Sequence, residues 1–455
     1  MSVIKLKKGF DINLVGEADS SVAPQRLSKT FALKPTDFIG MYRPKVVVKE
    51  GDTVKAGTPL FYDKKLEEVM YVAPVSGEIV KIKRGEKRKL LEIVILADST
   101  MEYVPYNKYT VSELSSLQRD DILPVLLKSG IWPQILQRPY GIVADPKVQP
   151  KAIFISSFDS HPLAPDYNFI FKGQEQYFQV GINLLKKIAN CPIHLGVSAN
   201  VEVSKVFSPK NVEITKFSGK HPAGNVGVQI HHIAPINKGD VVWTLNPYGI
   251  IQIGKLFMEG KYDASKLVAI VGAEVSKPQY HYTYLGSCVD KFIEENLKND
   301  HVRCVSGNAL TGERIEKNGY LGFYDHLLTV LPEGDRPRFF LTDGWFAPIA
   351  NRLSFHRALG LLSFLNPSKA YNLDTSMNGE ERAFVMTGAF EEVTPMDILP
   401  LYLVKAILAH DYDEMEALGI YEVIEEDVAL CEFIAVSKQP IQQIIRDGIN
   451  LMREG

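Results

Sequence analysis

The stretch from Val46 to Val80 restricts most what this chain can become. It runs Val-Val-Val-Lys-Glu-Gly-Asp-Thr-Val-Lys-Ala-Gly-Thr-Pro-Leu, then a short charged link, then Tyr-Val-Ala-Pro-Val-Ser-Gly-Glu-Ile-Val. Glycine turns at Glu50-Gly51-Asp52 and Ala56-Gly57-Thr58 cut the apolar run into pieces too short for helices, and Pro74 with Gly77 adds a third reversal. The pattern predicts a small all-β module over residues 42–105, closed by a strand at Leu91 to Ala97 and preceded by an irregular lead-in over 1–41. At 455 residues the chain is long for a single core, and its length predicts about three or four domains.

The spacing V-x-x-G-D-x-V-x-x-G-x-x-L before A-P-x-x-G is similar to the flattened barrel of biotinyl and lipoyl carrier domains. In those carriers the modified lysine sits in a tight turn, and counting back from Pro74 places Leu66 there, with Lys64 and Lys65 out of register. The expectation is a scaffold barrel without a swinging arm; a carrier modified on Lys64 or Lys65 is the competing reading.

Composition excludes several classes. Hydrophobic residues at 45% and charged residues at 23% describe a globular chain with ample core. The net charge is −3, and the one basic block, Lys81 to Lys89, reads as a solvated turn rather than a nucleic-acid site. No apolar run approaches the ~20 residues of a membrane helix, and Met-Ser-Val-Ile-Lys is no signal peptide, so the expectation is an intracellular chain, soluble by itself. Cys191, Cys288, Cys304 and Cys431 are far apart with no C-x-x-C pair, so neither disulfides nor a metal site is expected.

Beyond residue 105 the period changes. Ser112 reads as a cap, and Ile122, Val125 and Leu126 keep helical spacing over Asp120 to Ser129 before Gly130. A buried parallel strand is expected at Lys151 to Ser156, a helix at Glu175 to Ala189, and strands at Ile193 to Val197 and Val212 to Phe217, which together define a Rossmann-like α/β domain over 106–262. A phosphate loop needs glycines at a helix N-terminus. The segment Lys128-Ser129-Gly130-Ile131-Trp132-Pro133-Gln134 offers one glycine, two bulky residues and a proline without an amide donor, and His221-Pro222-Ala223-Gly224-Asn225-Val226-Gly227 reads as a turn. His231 and His232, read on a strand, would face opposite sides and be structural. Further on, Val242 to Glu259 reads as one helix ended by Gly260. A strand at Lys266 to Gly272, a helix at Val289 to Leu297 and a strand at Val302 to Ser306 suggest a β-grasp-like (SLBB-type) domain over 263–337. The rest, 338–455, is predicted mainly helical, with helices at Ile398 to Ala409 and Ile441 to Met452 and another starting within the acidic stretch Glu422 to Glu432. The fold class expected is thus α/β and multidomain.

Over almost its whole length the chain resembles the NqrA family, one component of the sodium-translocating NADH:quinone oxidoreductase of bacterial membranes. The matching stretches are Lys7-Lys8-Gly9-Phe10-Asp11, the barrel, Ala152-Ile153-Phe154-Ile155, His221-Pro222-Ala223-Gly224, Gly254-Lys255-Leu256-Phe257, Val305-Ser306-Gly307 with Leu310-Thr311-Gly312, and Glu425 to Cys431. That family is similar in architecture to the flavin-binding, NADH-oxidising subunits of respiratory complex I and of Rnf pumps. Here the flavin loop has become Ser129 to Pro133, and the acidic segment after the next strand is Ser156-Ser157-Phe158-Asp159-Ser160-His161-Pro162. Cys431 is a single thiolate where an iron–sulfur cluster needs about four ligands, and Ala435 stands where many family members keep a second cysteine.

The resemblance implies a peripheral subunit on the cytoplasmic face of the inner membrane. It implies no catalytic, cofactor or metal residues of its own, with FMN, FAD and Fe–S centres held by other subunits, some of them membrane-embedded. It also places quinone contacts, to ubiquinone or menaquinone, in stretches matching Leu33 to Met41 and the loop with Arg138-Pro139-Tyr140. A quinone needs an apolar slot with one or two donors. Phe38, Met41, Trp132 and Tyr140 would form its walls and Arg138 its donor, unless these aromatics simply pack the junction between barrel and α/β domain. The apolar segment Leu353 to Leu365 is either a buried helix or a face toward a membrane-embedded partner. The alternative function is a soluble flavin-dependent NADH dehydrogenase, which requires a flavin loop elsewhere.

Overall fold

A computed structural model describes residues 2–335, 353, 355 and 368–454. At its centre lies a seven-stranded sheet in the order Ser2–Lys5, Glu213–Ser218, Ile193–Ser198, Ile153–Ser156, Val242–Leu245, Leu136–Arg138, Ile142–Val143. The first five strands run parallel, and the last two form an antiparallel edge hairpin. Successive side chains on Ile153–Ser156 point to opposite faces. Ile153 and Ile155 join the core with Phe178, Ile182 and Leu185 of helix Glu175–Ala189, whereas Phe154 packs on Ile230 of helix Val226–Ile233. Both faces are therefore covered, which is why the strand reads as an unbroken apolar run. Helices Glu175–Ala189 and Pro247–Glu259 meet at two glycines: a Cβ on Gly181 would lie 2.1 Å from the Ile250 carbonyl, and one on Gly254 would lie 2.0 Å from that of Tyr177.

The sheet fixes where a site can form. From Ile153–Ser156 the chain adds strands on one side, then crosses to place Val242–Leu245 on the other, so the order reverses between these two neighbours. Ligands of open α/β sheets bind in the crevice outside the carboxyl ends of the strands at such a reversal.

The barrel is two sheets, Thr30–Leu33, Leu90–Ala97, Gly77–Arg84, Thr53–Val54 and Pro44–Val46, Pro59–Asp63, Leu66–Val72, closed over Leu60, Phe61, Val69, Ile79, Ile93 and Ile95. Its hairpin between Pro59–Asp63 and Leu66–Val72 turns on Lys64 and Lys65, and Leu66 opens the second strand. The lysines thus occupy the tight turn that counting along the sequence assigns to Leu66. The Asp63 carboxylate fixes that turn by accepting from the amides of Tyr42, Arg43 and Lys65 at 2.9, 3.1 and 3.1 Å. A six-stranded sheet, Glu313–Ile315, Val302–Ser306, Leu327–Pro332, Ser265–Val271, Gln279–Tyr284, Asp19–Val22, forms the third body. Helices Pro400–Ala409, Ala429–Ile434 and Ile441–Glu454 pack with Leu6, Phe217 and Val228 against the edge of the parallel sheet.

Several expectations change. The segment 1–41 is not an irregular lead-in: Ser2–Lys5, Asp19–Val22 and Thr30–Leu33 supply one strand to each of three sheets. Val242 to Glu259 is a strand followed by a helix, divided where the Asn246 Oδ1 caps the Tyr248 amide at 3.0 Å and Pro247 takes the first helical turn. The helix after Val289 is only Asp290–Ile293. The first short helix is capped by Thr110, not Ser112, through a capping box with Glu113. His231 and His232 lie in the last turn of Val226–Ile233 rather than on a strand. Each has its own partner, Glu422 at 2.6 Å and the Pro395 carbonyl at 2.8 Å. Leu353 to Leu365 lies, apart from Leu353 and Phe355, outside the described residues.

Candidate functional site

A cleft of about 310 Å³ opens at the reversal point. The loop after Ile153–Ser156 supplies Phe158, Asp159 and His161, the loop leading into strand Leu327–Pro332 supplies Tyr324 and His326, and Arg138 and Glu426 close one end.

At that end the charges are paired. Arg138 is 2% exposed and donates to Asp427 Oδ2 at 2.7 Å and Glu426 Oε1 at 2.5 Å. Asp427 also accepts the Ile424 amide at 3.1 Å, and Asn225 Nδ2 donates to the Glu426 carbonyl at 3.0 Å. A Cβ on Gly227 would meet both Asp427 oxygens at 2.5 Å, so this carboxylate sits on the first turn of helix Val226–Ile233. A helix N-terminus attracts an anion. Here the chain supplies that anion itself, and a ligand phosphate brought to the same place would face the Asp427 and Glu426 carboxylates. Burial pushes the Glu426 carboxyl up against the pull of Arg138. The glycine of the other expected loop is used for packing: Gly130, at φ +79, lies so close to Val72 that a Cβ would fall 2.2 Å from a valine methyl.

Beside these charges lie imidazoles, close enough for Glu426 and Asp427 to help raise the His161 pKa. Asp159 Oδ1 holds His161 Nδ1 at 2.6 Å and also accepts the His161 amide at 2.8 Å. Burial opposes both charges, but the pair prevails, raising the His161 pKa and lowering that of Asp159. With Nδ1 committed to the carboxylate, Nε2 is the nitrogen that gains or loses a proton. It is buried and has no partner. The His221 ring lies 4.5 Å away, its Nδ1 3.0 Å from Ser160 Oγ, which accepts the Gly224 amide at 2.8 Å. Burial and the nearby His161 keep His221 well below the ordinary histidine range, and its Nε2 is also unpartnered. From the other wall His326, 6% exposed, contributes an unpartnered Nδ1 against the Tyr248 ring at 5.1 Å.

Of the six residues proposed from sequence as quinone contacts, Arg138 alone lines this cleft. Leu33 is buried in a barrel strand opposite Ile93. Phe38 packs 4.4 Å from Tyr71 and 4.9 Å from Phe323. Trp132 is fully buried, donates to the Ala144 carbonyl at 2.8 Å and stands edge-on to Trp243. Met41 is half-buried on the barrel core, and the Tyr140 carbonyl accepts from Arg446 at 2.7 Å. Phe38 thus packs between the barrel and the six-stranded body, Trp132 against the parallel sheet and Tyr140 beside the C-terminal helices, while Arg138 spends its donors on carboxylates. The first stretch nevertheless reaches the cleft wall through Tyr324, whose ring lies 6.0 Å from Phe38 and whose hydroxyl donates to the Pro133 carbonyl, beside Trp132, at 2.7 Å. Sequence reasoning did not assign Asp159, His161, His221, Glu426 or Asp427. The available signal was that three stretches singled out separately, 156–162, 221–224 and 425–431, converge on one cleft.

Cys431 is fully buried beside Thr394 Oγ1 at 3.4 Å, and burial pushes its thiol up to about 12. Among the described residues no group of three or more His, Cys, Asp or Glu side chains is arranged to hold a metal, and no helix is long and apolar enough to cross a membrane.

The fold and cleft define a multidomain α/β protein with a reversal-point crevice closed at its anion end by the chain's own carboxylates. Residues 4–98 match the NqrA N-terminal barrel-sandwich hybrid domain, 117–262 the NqrA second alpha/beta domain, and 267–317 the NQRA C-terminal domain. The NqrA subunit of the Na(+)-translocating NADH-quinone reductase of Alcanivorax borkumensis is 36% identical over 98% of both chains. That of Serratia proteamaculans is 36% identical over 99% of this chain and all of its own, and that of Neisseria meningitidis serogroup B is 34% identical over 98% of both. The chain belongs to the NqrA family of Na(+)-translocating NADH-quinone reductase subunits. An NAD+-reducing [NiFe]-hydrogenase superposes over 78% of this chain and 67% of its own at 12% identity, with a TM-score of 0.38, too low to establish a shared fold.

Proposed function

We propose that the chain serves the sodium-pumping NADH:quinone oxidoreductase as a peripheral subunit on the cytoplasmic face of the membrane, with no redox centre of its own, and that its cleft receives a quinone headgroup. Membership of a complex that couples NADH oxidation and quinone reduction to sodium export is supported by relatives matching end to end. In this reading the barrel is a biotinyl/lipoyl-like scaffold, the parallel sheet is a Rossmann-like domain, and the six-stranded sheet is a β-grasp-like domain of SLBB type. FMN, FAD and Fe–S centres belong to other subunits. Asp427 on the helix N-terminus argues against a flavin phosphate and so against the soluble dehydrogenase alternative.

The observation that carries the quinone reading is the open Nε2 of His161 between aromatic walls. A neutral ring with carbonyl acceptors suits it: protonated His161 donates, Tyr324 and Phe158 flank the ring, and no phosphate has to approach Glu426. Leu33, Phe38, Met41, Trp132 and Tyr140 then act behind the wall, Phe38 through Tyr324. The test is titration of the purified chain with short-chain ubiquinone and menaquinone, followed by tryptophan fluorescence. Saturable binding that His161→Gln weakens is expected; equal binding by both proteins overturns the site. The same preparation is expected to be colourless, without NADH turnover, and at its unmodified mass, which also tests Lys64 and Lys65 as carrier lysines.

A further inference from the structure

The basic loop of the barrel has no part in the cleft. Strands Gly77–Arg84 and Leu90–Ala97 pair up to Arg84 opposite Leu90, leaving 85–89 as their connection. Residues 81–89 carry Lys81, Lys83, Arg84, Lys87, Arg88 and Lys89 against Glu86 alone, in a chain of net charge −3. All six cations are exposed. Among the described residues Lys83 alone of them has a carboxylate partner, Glu92 at 3.3 Å, while Arg84 donates to the Arg88 carbonyl at 3.2 Å. The turn itself is held by the main chain, Gly85 N to the Lys89 carbonyl at 2.8 Å and Lys89 N to that of Glu86 at 3.0 Å. Lys87 and Arg88 take left-handed backbone, φ 50° and 62°, at the tip. The cations therefore repel one another at close range and form almost no ion pairs within the fold.

We propose that this hairpin is an electrostatic contact to an anionic bilayer, with phospholipid headgroups as its ligand; the proposal rests on the chain's place in a sodium-translocating complex, which works at a membrane. The side-chain chemistry favours lipid over other anions. Four of the six cations are lysines, a residue depleted in protein–protein interfaces. No aromatic stands among them for a base to stack on. The exposed apolar residues on these strands are only Val80 and Leu96, each 41% exposed, so the contact is one of charge without insertion.

The full chain is mixed with phosphatidylcholine vesicles with and without phosphatidylglycerol, and bound protein is measured by sedimentation. Binding confined to the anionic vesicles is expected, lost at about 1 M salt where the screening length falls to about 3 Å. Joint Lys87→Glu, Arg88→Glu and Lys89→Glu substitution is expected to weaken it at least about tenfold, and the matching glutamine set by less. Circular dichroism confirms that both variants fold. Equal sedimentation of wild type and charge-reversed chain overturns the proposal, as does failure of the wild type to bind anionic vesicles at low salt. If that failure accompanies loss of the reversed variant from the purified complex, the hairpin serves an acidic protein partner and the lipid assignment is wrong. Quinone titration is independent of every arm, so failure here leaves the cleft reading standing.

Discussion

At the cleft Arg138, Glu426 and Asp427 pair with one another, while the neighbouring His161 and His221 each keep a ring nitrogen without a partner. Both groups are buried and both draw on residues far apart in the chain, yet in the first the charges are matched, with Asp427 Oδ1 left unpartnered, and in the second the ring nitrogens are left open. A buried polar group left unmade is costly. The Arg138 ion pairs therefore fasten the C-terminal helices to the parallel sheet, and the open His161 nitrogen is where a ligand has something to gain.

The largest effect that would test this contrast is at Arg138. Replacing it by Met strands the Asp427 carboxylate in the core, and a loss of about 3–5 kcal/mol in denaturant unfolding is expected. A loss below about 1 kcal/mol would mean that the closed end is not a fastening.

His161→Gln addresses the open nitrogens. His161 titrates from an unfolded value of 6.5 to a higher folded one, so the stability its charge gains from Asp159 is complete below 6.5 and is lost as pH rises through the folded value. Asp159 is lowered from 3.8, so its share is present above 3.8 and is lost as pH falls through the folded value. Between these limits the variant is expected to be about 1.5–3 kcal/mol less stable than wild type, the worth of a charged hydrogen bond. The gap closes in alkaline buffer. A gap independent of pH would show that His161 is neutral and that the Nε2 is no donor.

Gly227→Ala sharpens the comparison at the helix N-terminus. Its methyl would press on Asp427, costing about 1–3 kcal/mol by thermal unfolding. His326→Phe should be the mildest, about 1 kcal/mol, because Nδ1 has no partner and the ring keeps its neighbours, so that only the bond to the Leu267 main chain is lost. A loss of about 3 kcal/mol would mean that the Leu267 main-chain group is left unpaired in the core.

The legible parts of the fold are those whose signal lies within one element. Ile153–Ser156 reads as a buried parallel strand because both its faces are covered, and Glu175–Ala189 reads as a helix because its apolar residues recur on one side. Val242 to Glu259 reads as one helix in sequence because apolar residues continue across Asn246-Pro247, and only the cap at Asn246 divides strand from helix. Residues 1–41 hide their strands for another reason. Ser2–Lys5 and Asp19–Val22 are exposed edge strands with little apolar pattern, and their partners, Glu213–Ser218 and Gln279–Tyr284, lie some two hundred residues or more along the chain.

The sequence by itself determined the core strands of the barrel, the three parallel strands at 153–156, 193–198 and 213–218, and a loop at 128–134 poor in glycine, because turn chemistry and periodicity act over a few residues. Only the tertiary structure decided which charges are used and which remain open. Arg138 meets Asp427 across 289 positions, and Ser160 meets His221 across 61. Packing alone sets such separations, so a guanidinium that looked like a ligand donor serves as a fastening, and a histidine of a loop read only as a lost acidic segment holds the free nitrogen.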